Sequence, residues 1–260
     1  AMTGTPVENR LMEYWSIFSI VQPGLLGTAS DFRENFSVPI ENEHDPRAAE
    51  AFRKLVAPFM LRRMKTDKAI ISDLPDCIVQ DVMTTLLPEQ AYLYQETLTR
   101  NLDAISRAEA NSRDKQVKRR ALVLKLITEL KQICNSPSQY NKQWSETPDS
   151  AKAETLFELL DECRENGRKV LVFTQYREMG ELLQGWIAKK PGRKPEFLHG
   201  GVSVARRAVM VDDFQNNPDS HILLVSLKAG GTGLNLTAAS VVIHYDLWWN
   251  PAVESQASDR

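Results

Sequence analysis

The chain has 260 residues, of which 42% are hydrophobic, 25% charged and 8% aromatic, and 32 Lys+Arg against 34 Asp+Glu leave a net charge of -2. These values exclude disorder, collagen-like repeats and mucin-like stalks, and the charge balance excludes a nucleic-acid binder acting through its whole surface, while leaving room for a local basic cleft. The length fits about one and a half domains, no apolar run nears the roughly 18 residues of a membrane span, and the N-terminus lacks the basic-then-apolar layout of a signal peptide.

Glu8–Val21 is expected to be helical, with Leu11, Trp15, Phe18 and Ile20 at turn spacing and Pro23-Gly24 as its stop. Asp31–Pro46 is polar and irregular, Pro46–Met64 predicts a helix with a basic end, and Ile78–Met83 predicts a strand. Pro88–Gln139 is mostly helical, and Leu122, Leu126, Leu130 and Ile133 share one stripe of its last part. Between Arg100 and Lys131, nine Lys/Arg stand against four Asp/Glu, a charge of +5. That segment is either the solvated face of a helical hairpin or a basic flank beside a polyanion. From Ser150 the pattern changes to alternating helices and strands: Ala151–Asn166 stopped by Gly167, Lys169–Thr174, Arg177–Lys189, a loop at Lys189–Pro195, Glu196–His199, Val204–Asn216, His221–Ser226 and Ser240–Tyr245. Such alternation predicts βαβ units and a parallel sheet covered on both faces.

Several segments carry chemistry. Lys228-Ala229-Gly230-Gly231-Thr232-Gly233-Leu234-Asn235 follows the strand HILLVS. Glycines there let the backbone approach a ligand and aim N–H groups at anionic oxygens, though a tight strand-to-helix turn would use the same residues. The next strand runs into His244-Tyr245-Asp246-Leu247-Trp248-Trp249-Asn250-Pro251. Two adjacent tryptophans past a strand end cannot both be core. One is expected at a cleft rim, where it could stack on a base or wedge against a sugar; the alternative is that both anchor the sheet edge. Arg260, past the last strand, could neutralise a transferring phosphoryl group, although a lone terminal arginine carries nothing by itself.

The cysteines, Cys77, Cys134 and Cys163, form no CxxC, and the histidines, His44, His199, His221 and His244, lack metal-type spacing. Neither a disulfide framework nor a zinc site is expected, and a reducing compartment fits. The sequence holds no GxxxxGK[ST] P-loop. Its one lookalike of a magnesium-holding acidic box, Asp161-Glu162-Cys163-Arg164, falls within a helical period rather than on a strand.

Taken in order, Thr3-Gly4-Thr5-Pro6-Val7-Glu8-Asn9-Arg10, Leu61-Arg62-Arg63-Met64-Lys65-Thr66-Asp67 with Leu74-Pro75, Leu130-Lys131-Gln132-Ile133-Cys134-Asn135, Lys169–Tyr176, Leu198-His199-Gly200-Gly201, Ser226–Leu236, Asp246–Pro251 and Gln256–Arg260 form a series. It resembles the Swi/Snf-type ATPases of helicase superfamily two over essentially the whole chain. The LRRxKxD and LKQICN segments are specific to that family, and WWNPAVE is similar to its prokaryotic members. The resemblance implies two RecA-like lobes with ATP between them and duplex DNA across both. It implies for this chain an α/β fold: a RecA-like parallel sheet flanked by helices, with an all-helical N-terminal connector and a helical insertion. Residues 1–76 would be the end of lobe one and the connector, 77–87 a strand joining lobe two, 88–149 a helical protrusion, and 150–260 the lobe-two core.

Residue by residue, the resemblance places Gln175 in motif IV and His199, Gly200 and Gly201 in a turn at DNA phosphates. Ser226 and Lys228 fall in motif V against DNA, with Gly231, Gly233 and Asn235 toward nucleotide. Trp249 would sit against the DNA groove. Gln256 and Arg260 fall in motif VI, with Arg260 the first of two arginines that reach the γ-phosphate. The cofactors implied are ATP and Mg2+, bound mainly by lobe one, and the partners are double-stranded DNA and a nucleoprotein target, with no membrane. The chain would start inside motif III and end inside motif VI, a fragment of a larger ATPase that does not hydrolyse ATP alone. Its location would be cytoplasmic and nucleoid-associated in a prokaryote, or nuclear in a eukaryote. Two other functions stay open: a superfamily-two motor directed at RNA or associated with RNA polymerase, and a non-catalytic interaction module.

Overall fold

A computed structural model describes residues 1, 6–7, 10–61, 77–110, 115–190, 195–230 and 234–258. Most of the TGTPVENR segment, all of LRRMKTD but Leu61, Leu74-Pro75, and Asp259 and Arg260 of the last motif lie outside the described residues. The chain divides into two compact units, Ala1–Val82 and Met83–Arg260.

The first unit is helical: α1 (Met12–Val21), α2 (Ala29–Phe32), a π-helical turn at Arg33–Ser37, α3 (Val38–Glu41), α4 (Pro46–Val56) and a short 3-10 turn at Ala57–Phe59. The stretch that composition marks as irregular is therefore largely helical. Thr28 and Asp31 form a reciprocal capping box that starts α2. Phe32 then fixes the segment in an aromatic core, with Phe36 at 5.7 Å and Phe52 at 5.6 Å from its ring. Tyr14 stacks on Phe18 at 5.3 Å and meets Phe52 edge-on at 5.3 Å. Two aromatic anchors four residues apart outweigh the polar residues around them. The predicted basic helix also stops early: α4 ends at Val56 and passes into the 3-10 turn, whose second residue is Pro58.

The strand predicted at Ile78–Met83 is absent: residues 77–87 join no ladder among the described residues. Ile78, Val79 and Met83 are 91%, 85% and 90% exposed. Strand propensity is realised only against a neighbouring strand, and among the described residues this segment pairs with none.

The second unit opens with a helical hairpin, α5 (Pro88–Ala110) and α6 (Lys115–Asn135), followed by α7 (Pro137–Asn141). Gln90 is buried and donates from Nε2 to the Ile133 carbonyl at 2.9 Å, while Asn101 Nδ2 reaches Glu129 Oε2 at 2.9 Å. These pairings hold the two helices antiparallel.

The remainder is α8 (Ala151–Glu165), β1 (Val170–Thr174), α9 (Arg177–Ile187), β2 (Glu196–Leu198), α10 (Val204–Asn216), β3 (Ile222–Ser226), α11 (Leu227–Gly230), β4 (Val241–His244) and α12 (Pro251–Ser258). All four strands are parallel, in the order β2-β3-β1-β4. Side chains alternate across the sheet. Val170, Val172 and Leu224 face α8 and α9, where Leu156, Leu160, Met179, Leu183 and Trp186 cover them. Leu171, Phe173, Leu223 and Val225 face the other way, onto Met210 and Phe214 of α10 and Leu227 and Ala257. Gly167 ends α8 at φ +63°, with Arg168 N–H bonded to the Cys163 carbonyl at 2.8 Å and Gly167 N–H to that of Arg164 at 3.0 Å. This left-handed stop is the role its sequence position predicts. The fold class expected from the sequence is the one observed.

Candidate functional site

The register of the sheet brings together residues that are far apart in sequence. Thr174 pairs with Ser226, Phe173 with His244 and Leu198 with Val225. The C-terminal strand ends therefore form a row: His199 after β2, Ser226 at the end of β3, Gln175 after β1, and Tyr245 to Trp249 after β4. In open parallel sheets this is the edge at which ligands bind.

At the β2 end, His199 Nδ1 accepts the Gly201 N–H at 3.1 Å. Burial, with Arg177 and Arg207 adding to it, lowers the His199 pKa. The neutral ring thus carries its proton on Nε2. Arg207 gathers the loop's carbonyls, donating to Val202 at 2.9 Å and Gly200 at 3.2 Å. Gly200 is exposed, with no atom within 4 Å of where a Cβ would stand. At the β3 end, Ser226 Oγ accepts the Ala229 N–H at 3.4 Å and so closes the first turn of α11, which holds the backbone of Lys228. Gly231 and Gly233 lie outside the described residues. Beyond them Asn235 is exposed, and its carbonyl accepts from Gln215 Nε2 at 3.2 Å. Gln215 also accepts the Ala238 N–H at 2.8 Å, tying this loop to α10.

At the β4 end the two tryptophans separate. Trp248 packs partly buried against the Phe173 face of the sheet, whereas Trp249 is 62% exposed. Gln256 is half-buried on α12. That helix is fastened to the sheet by a 2.8 Å contact between His244 Nε2 and Ser258 Oγ. His244 stacks on Phe173 at 5.5 Å, and burial lowers its pKa.

Beneath the row lies a buried polar cluster centred on Asp246, Asn135 and Lys152, none of which was predicted as a site residue. Asp246 is 3% exposed and accepts from Thr174 Oγ1 at 2.5 Å, Gln175 N–H at 2.8 Å and Asn135 Nδ2 at 3.2 Å. Burial raises its pKa, opposed by the hydrogen bonds from Thr174 and Gln175 and by Lys152. Lys152 donates to Asn135 Oδ1 at 3.0 Å; burial lowers its pKa and Asp246 opposes the shift. The Asn135 carbonyl takes Tyr245 Oη at 2.8 Å and Ser150 Oγ at 2.7 Å. Burial pushes the Tyr245 pKa far above its usual value and that of Tyr176 up to about 12. Both residues belong to segments that the sequence makes conspicuous: Asp246 opens Asp246–Pro251 and Asn135 ends LKQICN. Their partnership has no sequence signal, because 111 positions separate them.

The acidic lookalike at Asp161 lies on α8, away from the row. It borders a groove of about 410 Å³ at the opposite strand ends, beside Glu196, His221 and Ile222, and is paired with Lys190 at 2.5 Å. Among the described residues no group of three or more His, Cys, Asp or Glu side chains could hold a metal ion.

Comparison with known proteins adds three findings. Residues 1–139 match the family model of the SNF2-related domain, and residues 151–260 that of the helicase conserved C-terminal domain. YwqA of Bacillus subtilis (strain 168), which carries the name of an ATP-dependent helicase/translocase, is 40% identical over 263 residues, covering all of this chain and 28% of YwqA. The SWI2/SNF2 ATPase core domain of Sulfolobus solfataricus is 37% identical with a TM-score of 0.64, over 98% of this chain and 52% of that one. The same core in complex with dsDNA gives 37% and 0.63, over 99% and 53%. The chain thus spans only part of the length of each of these proteins.

Proposed function

The chain belongs to the SNF2-related domain family, and from that premise we propose that it is the second motor lobe, with connector and helical protrusion, of an ATP-driven translocase on duplex DNA. The observation that carries this reading is the row of His199, Ser226, Gln175 and Trp249 along one sheet edge. Four separate sequence segments converge there, each on the strand end where a parallel sheet binds ligands. In this reading residues 1–76 are the end of lobe one and the connector, 88–149 the helical protrusion and 150–260 the lobe-two core, without the strand expected over 77–87.

The exposed Gly200 backbone, Lys228 and Trp249 follow the DNA backbone and groove, so binding is independent of sequence and sensitive to salt. Gly231, Gly233 and Asn235 serve to bind the nucleotide, and Gln256 acts with Arg260 in catalysis. ATP and Mg2+ are held mainly by the opposite lobe, and the nucleotide supplies the free energy of closure. Closure carries Arg260 to the transferring phosphoryl group, a contribution of about 10³–10⁵ in rate for an arginine of this kind. Because Gln175 and Trp249 follow the adjacent strands β1 and β4 of one sheet, closure moves the DNA contacts with it.

The test is ATPase activity of the full-length protein containing this chain, with duplex DNA, single-stranded DNA and single-stranded RNA as activators. Stimulation by duplex DNA is expected. Stimulation by RNA alone would assign the motor to RNA, and no turnover with any of them would leave an interaction module.

A further inference from the structure

Lys131 stands on α6, one turn before Asn135, and its ammonium crosses to the loop that follows β4. Its Nζ donates to the Leu247 carbonyl at 2.6 Å and lies 5.0 Å from the centroid of the Trp249 ring. Gln175 Nε2 donates to the same carbonyl at 3.2 Å. One peptide oxygen thus joins the helical hairpin, the end of β1 and the tryptophan loop. Leu247 and Trp249 are 60% and 62% exposed, so packing alone holds this stretch weakly. On the far side the Trp248 N–H is bonded to Glu254 Oε1 at 2.6 Å. A cation over an indole face and a charge-assisted hydrogen bond to the carbonyl two residues before it together limit the ring's orientation.

We propose that Lys131 is a positioning residue for the nucleic-acid face: it acts through Trp249 and the Leu247 peptide, holding the ring and the Gln175 amide in the arrangement that meets duplex DNA. This rests on reading the strand-end row as a DNA surface. It assigns the basic hairpin a specific task beyond general attraction for a polyanion. The competing role is a direct contact of Lys131 with a phosphate, and the two make different predictions. A phosphate contact adds its counterion release whatever residue occupies position 249. A positioning residue loses its effect when the ring it positions is gone.

The experiment uses the full-length protein with Lys131→Met, Lys131→Gln, Lys131→Arg, Trp249→Ala and the Lys131→Met/Trp249→Ala pair. Duplex-DNA affinity is measured over a range of salt, together with the DNA concentration for half-maximal ATPase stimulation and the melting temperature. Lys131→Met and Lys131→Gln are expected to raise the half-maximal DNA concentration about 3- to 10-fold, with the maximal rate and salt slope close to the parent. Lys131→Arg restores most of the affinity. In the Trp249→Ala background the added effect of Lys131→Met falls below about twofold. Additive losses, or a salt slope reduced by about one in Lys131→Met, overturn the proposal in favour of a phosphate contact. If Trp249→Ala alone leaves DNA affinity unchanged, the DNA-surface reading fails and this proposal with it. If Trp249→Ala weakens binding while Lys131→Met and Lys131→Gln do not, only the positioning role fails.

Discussion

Asn135, the last residue of α6, donates from Nδ2 to Oδ2 of Asp246, two residues past β4, at 3.2 Å. Asn135 is wholly buried and spends each of its polar atoms: Nδ2 also reaches Gln139 Oε1 at 3.2 Å, and Oδ1 accepts from Lys152 at 3.0 Å. The helical hairpin and the sheet are therefore joined by a polar lock directly below the candidate site.

Asn135→Ala would strip Asp246 of one donor and leave Lys152 without its acceptor. Buried groups left unpaired cost about 1–3 kcal/mol each, so a loss of about 2–4 kcal/mol is expected in the denaturant unfolding of the second unit. A change under about 1 kcal/mol would show that water replaces the side chain.

The pH dependence of the lock follows from Asp246. Its folded pKa is raised above 3.8 by burial, so the folded state binds this proton more tightly than the unfolded state does. Its favourable contribution is fully present below the unfolded value and is lost as pH rises through the folded one. Compared with Asp246→Asn, the parent's stability margin is expected to be largest at low pH and to shrink as pH rises through that window. Paired unfolding curves at several pH values measure this; a margin that grows with pH contradicts it.

Two glycines of α9 should respond differently to alanine. A Cβ at Gly180 would stand 2.2 Å from the ring of Phe197, a side chain only 5% exposed, and neither partner can move without shifting β2 against α9. A Cβ at Gly185 would meet Trp144 at 2.5 Å, but that ring is 61% exposed and can turn outward. Gly180→Ala is expected to cost about 1–3 kcal/mol and Gly185→Ala much less, read as denaturation midpoints.

The adjacent tryptophans separate stability from binding. Trp248→Ala removes a partly buried ring from the core and is expected to cost about 2 kcal/mol. Trp249→Ala removes an exposed ring and should leave the melting temperature nearly unchanged while weakening duplex-DNA binding about 5- to 100-fold, as loss of a nucleic-acid-stacking aromatic does. Melting curves and DNA titrations of both variants in the full-length protein check this; equal effects on both readouts would show the division to be wrong.

The 260-residue chain by itself is expected to show no ATP turnover, with or without duplex DNA. In the full-length protein Arg260→Ala should lower ATPase activity by about 10³ or more while largely keeping DNA affinity. Loss of both together would argue against an arginine finger.

Much of this molecule is legible in its sequence because the information is local. The continuous apolar runs VLVFT and ILLVS, the helical stripe of α9 and Gly167 as a helix stop each fix an element through interactions spanning a few residues, and each element is found within a residue or two of its expected limits. The motif series, too, is a property of the sequence alone. What the sequence left open depends on which segments meet. Asp31–Pro46 folds into helices because Phe32 finds Phe52, while Ile78–Met83 pairs with no strand among the described residues. The residues alone left open whether one or both of Trp248 and Trp249 pack against the sheet edge, while the family resemblance put Trp249 at the DNA groove; Trp248 is in fact partly buried and Trp249 exposed. Tertiary packing decided that, and it alone brought Asn135 to Asp246 and Lys131 to Trp249, since a hydrogen bond or cation–π contact across more than a hundred residues leaves no periodicity to read.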